Sequence, residues 1–206
     1  MIRLEEPKDY YEVENLTRES FWNVYRPGCF EHYVIHNLRK KDYFIKELDY
    51  VIELNGKIIA NIVYALGNIK ENNINKKVLI FGPVSVLPSY QHKGYGEKLI
   101  NYTLDKASKL GYSCVLITGN QDYYKKYGFI SASKYNIYYE GLEPNEEYPF
   151  FMIKILNKDK FDIKEGIYTD PEVYTNIDNK DLEIFDKNFP HKEKLKLEGQ
   201  LEWIYL

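Results

Sequence analysis

The most informative part of this 206-residue sequence is the stretch Val84-Ser85-Val86-Leu87-Pro88-Ser89-Tyr90-Gln91-His92-Lys93-Gly94-Tyr95-Gly96. An apolar strand ends at Pro88, a short loop follows, and an amphipathic helix begins near Gly96. The first amides of a helix lack partners and lie at the positive end of its dipole. Because Gly94 and Gly96 have no Cβ, successive amides can enclose an anion there. His92 and Lys93 add donors and positive charge. The stretch therefore predicts a pyrophosphate-binding loop.

Two other phosphate-binding motifs fit this stretch less well. A P-loop requires G-x-x-x-x-G-K-[ST], which the sequence lacks. A dinucleotide-binding G-x-G-x-x-G needs a small residue at position 99, where the sequence has Leu99. It also needs its glycines directly after the strand, whereas Gly94 lies eight residues beyond Val86. The dinucleotide motif is therefore the weaker alternative.

A third motif fits closely. The hexapeptide Gln91–Gly96 resembles [RQ]-x-x-G-x-[GA], the acyl-CoA signature of the GCN5-related N-acetyltransferase (GNAT) superfamily. Downstream, Tyr123–Phe129 resembles the second signature of that superfamily, Leu-Tyr-x-x-Leu-Gly-Phe. The stretches Gly82–Pro88 and Gly119–Tyr124 look like the YhbS-like branch. The two signatures together, separated by a helix and a strand, are more specific than either alone.

The resemblance implies an α/β (α+β) fold of the GNAT type. Such a fold has a mixed, mostly antiparallel sheet with splayed central parallel strands, flanked by helices. We predict an acetyltransferase domain over residues 1–156 and a small C-terminal appendage of unknown role over residues 157–206. The appendage either packs on the main sheet or contributes to a dimer contact, and it has its own apolar set: Leu195, Leu197, Leu201, Trp203 and Ile204.

The resemblance also implies a set of site residues. Freed backbone groups of the strand would pair with the pantetheine amides, and amides of the loop would hold the pyrophosphate. The residues implied to bind the cofactor are Val84, Ser85, Val86, Gln91, His92, Lys93, Gly94, Tyr95, Gly96, Glu97 and Asn120. Asn120 has an alternative role as the cap of the short helix that follows it. Tyr124 would be the catalytic residue, close to the thioester sulfur.

The chemistry of such a transfer sets three requirements. A primary amine with a pKa of about 10 must lose a proton before it attacks. Negative charge on the thioester oxygen needs a fixed N–H donor, for which we expect the Val86 amide. The departing thiolate needs a proton, which the Tyr124 hydroxyl can supply.

The general base is not evident from the sequence. Related enzymes often place a Glu on the splayed strand, where this chain has Ile80, Phe81, Val84 and Ser85. Glu53, His32 and His36 are candidates, and a water chain or a backbone carbonyl is an equal alternative. His32 and His36 also have i, i+4 spacing, but a metal site needs more ligands. We therefore expect no metal.

The remaining pattern predicts alternating elements around this stretch. Asn55-Gly56 predicts a tight hairpin, and Asn68–Lys77 an exposed loop. Gly82-Pro83 predicts a bulge, a sheet edge or a splay of the strand. A parallel strand pair is expected on either side of the helix Gly96–Leu110. The other predicted helices are Tyr10–Phe21, Phe30–Lys40, Asp122–Tyr127 and Asn179–Asn188. The predicted strands are Asp49–Leu54, Lys57–Tyr64, Val78–Leu87, Tyr112–Thr118, Ile130–Tyr139 and Pro149–Ile155.

The composition limits the class of protein. Hydrophobic residues make up 44% of the chain and charged residues 29%, with a net charge of −3. The hydrophobic and charged fractions exclude wholesale disorder. The net negative charge argues against a nucleic-acid partner. Apolar runs fall short of the about 20 residues that span a bilayer, and the N-terminus has no long apolar segment. We expect a cytoplasmic protein without a membrane partner, with Cys29 and Cys114 as buried free thiols.

The function predicted from these features is N-acetyl transfer. Acetyl-CoA would be the cosubstrate, and the acceptor an amine of a small molecule or a protein. A non-catalytic acyl-CoA-binding or sensing module is the alternative, and a longer acyl donor is a third. Residues Phe21–Tyr33 are expected to help select the acceptor, and a homodimer is one option for assembly.

Overall fold

The strands form one mixed sheet. The computed structural model describes residues 1–144 and 146–200. Within them the strands run in the order β1-β2-β3-β4-β5-β8-β6, and β9 pairs with β3 and β7. The strands are β1 (Ile2–Leu4), β2 (Tyr50–Leu54), β3 (Lys57–Glu71), β4 (Ile74–Val86), β5 (Cys114–Thr118), β6 (Ile130–Ser131), β7 (Ile137–Tyr139), β8 (Phe151–Ile155) and β9 (Gly166–Thr169).

Helices cover both faces of the sheet. They are α1 (Tyr10–Phe21), α2 (Glu31–Leu38), α3 (Tyr95–Lys109), α4 (Gln121–Tyr124), α5 (Glu172–Thr175) and α6 (Asn179–Asp186). The apolar sides of α1 and α2 pack on one face, and that of α3 packs on the other. Among the described residues, no helix is both long enough and apolar enough to cross a lipid bilayer.

The β3–β4 hairpin is longer than the sequence predicts. β3 has 15 residues and β4 has 13, so the loop predicted over Asn68–Lys77 is wrong. The turn is formed by Asn72 and Asn73, both with positive φ (47° and 67°), which Asn tolerates better than most residues. The polar end of β3 stays extended because β9 pairs with it, placing Tyr168 opposite the buried Ile69.

The centre of the sheet contains a bulge and a gap. Ile62 lies opposite Val84 and Tyr64 opposite Phe81, so the predicted irregularity at Gly82-Pro83 is present. β4 and β5 are parallel and pair at only two positions, Leu79 with Val115 and Ile80 with Leu116. Beyond these positions the two strands separate. The predicted fold class, a mixed and mostly antiparallel sheet with a splayed parallel pair and flanking helices, is confirmed.

Two further local predictions have different outcomes. Asn55 and Gly56 form the turn between β2 and β3, both with positive φ. The single strand predicted over Ile130–Tyr139 is wrong, because a 3₁₀ turn at Ala132–Tyr135 divides it into β6 and β7. Asn136 has a φ of 55°, which ends the turn and redirects the chain toward β9.

The C-terminal segment packs against the rest of the chain. β9 joins the sheet, and the Tyr174 hydroxyl donates to the Gly82 carbonyl at 2.9 Å. In α6, both carboxylate oxygens of Asp186 accept from Arg18 of α1, at 2.6 and 3.2 Å. Leu195 and Leu197 are exposed, whereas Leu201, Trp203 and Ile204 lie outside the described residues. The division at residue 156 and the dimer contact stay predictions.

The Arg18–Asp186 pair generates a stability prediction. The Arg18 side chain is 1% exposed, so Asp186→Ala leaves a buried guanidinium without its carboxylate. We expect the free energy of unfolding to fall by about 3 kcal/mol in urea denaturation at neutral pH. Glu183→Ala, at an exposed position of α6, is the control and should change it by less than about 0.5 kcal/mol. A loss for Asp186→Ala no larger than that of the control would show that the pair contributes little.

Candidate active site

The loop between β4 and α3 has an unusual backbone. His92 and Gly94 both adopt positive φ (59° and 82°), and they flank Lys93. Gly94 is the N-cap of α3, and no side chain caps this helix. No heavy atom lies within 4 Å of the position that a Cβ of Gly94 would take. The first amides of α3 therefore face open space, as an anion-binding loop requires. We call residues 91–97 the glycine loop.

Several side chains of the glycine loop bind the protein itself. The Gln91 amide donates to the Val86 carbonyl at 3.0 Å and ties the loop to the end of β4. Lys93 Nζ donates to the Ser89 carbonyl at 2.8 Å. The Glu97 carboxylate forms an exposed ion pair with Lys126 at 2.9 Å. These side chains are therefore occupied within the protein, and contact of Gln91, Lys93 or Glu97 with a cofactor through the backbone stays a prediction.

Tyr95 and Gly96 of the glycine loop also lie against neighbouring parts of the protein. The Tyr95 ring stacks edge-on against Tyr90, with centroids 6.0 Å apart. A Cβ on Gly96 would lie 3.3 Å from the Tyr123 hydroxyl and 3.6 Å from a Val86 methyl group. Gly96 thus brings the start of α3, the end of β4 and the chain after β5 close together.

The free edge of β4 faces the gap between β4 and β5. The Leu87 amide donates to the Ile59 carbonyl of β3 at 2.9 Å. Backbone groups of successive strand residues point to opposite edges, so those of Val84 and Val86 point away from β3. The Val86 carbonyl is met there by Gln91 and by the Ser20 hydroxyl at 2.9 Å. We call this gap, bordered by Val84 and Val86, the cleft.

Ser85 has a different orientation from its two neighbours. It pairs with Asn61 of β3, and its buried hydroxyl donates to Thr17 of α1 at 2.9 Å. Both its backbone and its side chain are therefore used within the protein. Contact between Ser85 and a cofactor stays a prediction.

Tyr124 lies across the cleft. It follows β5, yet its ring contacts Phe81 of β4 with centroids 5.9 Å apart. This position requires a glycine at 119, since a Cβ there would be 2.8 Å from the Tyr124 ring. Burial raises the pKa of Tyr124, and the neighbouring Tyr123 and Tyr25 raise it further. The hydroxyl is therefore protonated at neutral pH.

Asn120 caps α4. Its side-chain oxygen accepts from the Asp122 amide at 2.8 Å, which is the second of the two roles expected from the sequence. The cap fixes the start of the short helix that presents Tyr124. A contact between Asn120 and a cofactor stays a prediction.

The three side chains considered as bases are occupied elsewhere. Glu53 forms an ion pair with Arg3 at 2.8 Å. His36 lies 3.0 Å from the Glu14 carboxylate. His32 is fully buried between Cys29 and Asp186, and burial lowers its pKa, so its ring is neutral at pH 7. Over residues 1–144 and 146–200, no group of three or more His, Cys, Asp or Glu residues is arranged to hold a metal ion.

Tyr25, which the sequence analysis did not single out, contributes to the raised pKa of Tyr124. It lies in the connection between α1 and α2, is 41% exposed, and its ring contacts Phe21 at the end of α1, with centroids 6.1 Å apart. The chain has 21 tyrosines, and no local pattern distinguishes this one.

Comparison with known proteins finds similarity to N-acetyltransferases. A family model described as "Acetyltransferase (GNAT) domain" matches residues 46–131. The chain is 23% identical to the uncharacterized N-acetyltransferase YhbS of Escherichia coli over 137 residues, 66% of this chain and 77% of that protein. It is 28% identical to YjhQ of the same organism over 74 residues, which cover 36% of this chain and only 41% of YjhQ.

Solved structures show the same fold. E. coli YhbS in complex with CoA superposes with a TM-score of 0.71 at 21% identity, over 84% of this chain and 91% of that one. A GNAT-family acetyltransferase from Brucella melitensis in complex with acetyl-CoA has a TM-score of 0.67 at 24% identity, over 84% and 97%. Residues 46–131 of the chain therefore match the acetyltransferase (GNAT) domain model, and the chain has the fold of YhbS and of the Brucella enzyme.

Proposed function

We propose that this protein transfers the acetyl group of acetyl-CoA to an amine of a small molecule or protein, by direct attack within a ternary complex. One observation carries the proposal. β4 and β5 part after two paired positions and leave a cleft that ends at the glycine loop. Tyr124 crosses this cleft. Among its relatives, the Brucella enzyme has a structure with acetyl-CoA bound.

The cosubstrate would bind through the protein backbone. Pantetheine carries two amides, which can pair with the free edge at Val84 and Val86 as an added strand does. The pyrophosphate would then reach the amides of the glycine loop at the positive end of α3. These main-chain contacts would recognise the pantetheine and the pyrophosphate of CoA. They would not distinguish one acyl chain from another.

The transfer itself needs positioning and two proton movements. The amine nitrogen attacks the thioester carbon, and the Val86 amide stabilises the negative oxygen. As the carbon–sulfur bond breaks, the thiolate takes the Tyr124 proton. The excess proton on the nitrogen then restores the Tyr124 hydroxyl, which leaves the amide and the CoA thiol. Holding amine and thioester together supplies much of the acceleration. We further propose action in the cytoplasm, with a homodimer as one assembly.

The binding-module alternative keeps one observation in its favour. The strand segment from Ile80 to Ser85 carries no carboxylate, and the three predicted bases are buried or paired. A thiol-release assay with acetyl-CoA and a panel of amines separates the two functions. Turnover with any amine supports transfer, and tight CoA binding without turnover supports the module.

Gly96→Val tests the glycine loop. The new side chain would lie against the Tyr123 hydroxyl and a Val86 methyl group, where α3 begins beside the cleft, and would crowd the place proposed for the phosphates. We expect the dissociation constant for CoA to rise about 10- to 100-fold in titration calorimetry, as for the loss of one or two hydrogen bonds to a charged group. Gly96 has no positive φ, so the change does not strain the backbone as a substitution at Gly94 would.

Asn101→Val is the matched control, since it places the same side chain at an exposed position of α3. It should leave the dissociation constant for CoA unchanged. A folded Gly96→Val variant with the affinity of the wild type would contradict the placement of the phosphates.

Tyr124→Phe tests the proton donor. The change removes only the hydroxyl and keeps the ring contacts with Phe81 and Phe129. We expect kcat to fall about 100-fold or more while the dissociation constant for acetyl-CoA stays within about twofold. Steady-state thiol release and calorimetry measure the two quantities.

Tyr135→Phe is the control, because this ring packs on Phe161 away from the cleft. It should retain wild-type kcat. A Tyr124→Phe variant that also retains wild-type kcat would remove Tyr124 from the mechanism and assign protonation of the thiolate to water.

A further inference from the structure

The bulge of β4 has a backbone carbonyl that is bound from outside the sheet. At the bulge, Gly82 and Pro83 of β4 together face the single residue Val63 of β3. A bulge leaves its extra residue out of the regular strand pairing. Gly82 also has a φ of 142°, which glycine adopts far more readily than other residues. The Gly82 carbonyl is thereby open to a partner that does not belong to a neighbouring strand.

Tyr174 of α5 is that partner. Its hydroxyl donates to the Gly82 carbonyl at 2.9 Å, although the two residues are 92 positions apart in the chain. Burial raises the pKa of Tyr174, and the nearby Asp170 and Tyr43 raise it further. The hydroxyl is therefore protonated at neutral pH and can act as the donor. The C-terminal segment is thus hydrogen-bonded to the strand that borders the cleft.

Neighbouring contacts fix the position of Tyr174. The preceding residue, Val173, is 7% exposed and belongs to the apolar cluster on the α1 and α2 side of the sheet. Asp170, just before α5, accepts from the hydroxyl of Tyr168 at 2.6 Å and from that of Tyr139. These two tyrosines lie in β9 and β7, so α5 is tied to the sheet. Tyr174 therefore reaches Gly82 from a fixed support.

The bulge lies between two parts of the cleft. Phe81 directly precedes Gly82, and its ring contacts the ring of Tyr124 with centroids 5.9 Å apart. Val84, two residues after Gly82, begins the free edge of β4. A shift of the bulge therefore moves the edge and changes its distance from Tyr124.

The end of β4 is fixed by different contacts. The Val86 carbonyl accepts from Gln91 at 3.0 Å and from Ser20 at 2.9 Å. These partners belong to the glycine loop and to α1, and not to the C-terminal segment. A change at Tyr174 should therefore affect the part of the cleft near Tyr124 and leave the glycine loop in place.

We propose that Tyr174 is a positioning residue for acetyl transfer, whose hydrogen bond to Gly82 sets the distance between the free edge of β4 and Tyr124. The inference rests on the proposed acetyl transfer and gives the C-terminal segment a role in it. Tyr174 acts through the bulge and not by contact with the reacting atoms. Such an effect can be large, because a displacement of about 1 Å between reacting groups can lower the rate about 100-fold.

Tyr174→Phe tests the inference, because it removes only the hydroxyl and keeps the ring. We expect kcat for the best amine of the panel to fall about 10-fold or more, since the thioester and the proton donor lose their alignment. The dissociation constant for CoA should stay within about twofold, because the contacts of Val86 and the glycine loop are unchanged. Steady-state thiol release and titration calorimetry measure the two quantities, and the calorimetric stoichiometry gives the folded fraction.

Tyr168→Phe is the matched control. It removes a hydroxyl from the same segment, but it leaves the bond between Tyr174 and Gly82, and Asp170 keeps the Tyr139 hydroxyl. It should retain kcat within about twofold of the wild type. An equal loss of kcat in both variants would show a general loosening of the segment and overturn the role of the bond to Gly82.

Two further variants cover the case in which Tyr174→Phe does not fold. At position 174, 4-aminophenylalanine keeps a donor for the Gly82 carbonyl, whereas 4-methylphenylalanine has a similar size and no donor. We expect the amino variant to have a kcat at least about fivefold higher than the methyl variant, with equal affinity for CoA. Equal kcat values would show that the ring fills space only and would overturn the inference.

The outcomes separate this inference from the proposed function. Wild-type turnover with an unchanged kcat in Tyr174→Phe overturns the role of Tyr174 and leaves acetyl transfer intact. A wild-type protein that releases no thiol with any amine of the panel overturns acetyl transfer, and with it the role of Tyr174.

Discussion

The hydrogen bonding between β4 and β5 stops after two positions, and the rest of the site depends on this interruption. A strand edge inside a sheet normally has every amide and carbonyl paired. Here the bulge opposite Val63 bends β4 away from β5, so the groups of Val84 and Val86 face a cleft instead of a strand. The Val86 carbonyl already accepts from Gln91 and Ser20, and an extended ligand with amides of its own can pair with the groups that remain. The same separation makes room for Tyr124 to reach Phe81.

The glycine loop adds a region of positive potential at the end of the cleft. Two left-handed residues, His92 and Gly94, turn the chain so that α3 begins at the end of the cleft. The positive end of the α3 dipole then lies at the end of the cleft, where we propose that the pyrophosphate binds. The side chains of Gln91 and Lys93 hold backbone carbonyls, which keeps the loop in place and leaves ligand binding to the amides.

The C-terminal segment holds the connection between α1 and α2. The Trp22 indole and the Asn23 amide both donate to the Glu193 carbonyl, and the Leu195 amide donates to Asn23. Asp186 pairs with Arg18 of α1 and lies 3.2 Å from His32 of α2. The segment therefore supports both helices that flank this connection, although the sequence analysis assigned it no role in the fold of the first domain.

The sequence by itself determined the features that depend on neighbouring residues. These include the Asn55-Gly56 turn, the bulge at Gly82-Pro83, the glycine loop and the helix after it, because turn chemistry and helix capping act over a few residues. Only the tertiary structure decided the full length of the β3–β4 hairpin, which extends because β9 pairs with it from about a hundred residues away. It also decided that Tyr124, which follows β5 in the chain, reaches Phe81 of β4 across the cleft. That contact joins segments that are distant in the chain, so no local pattern could show it.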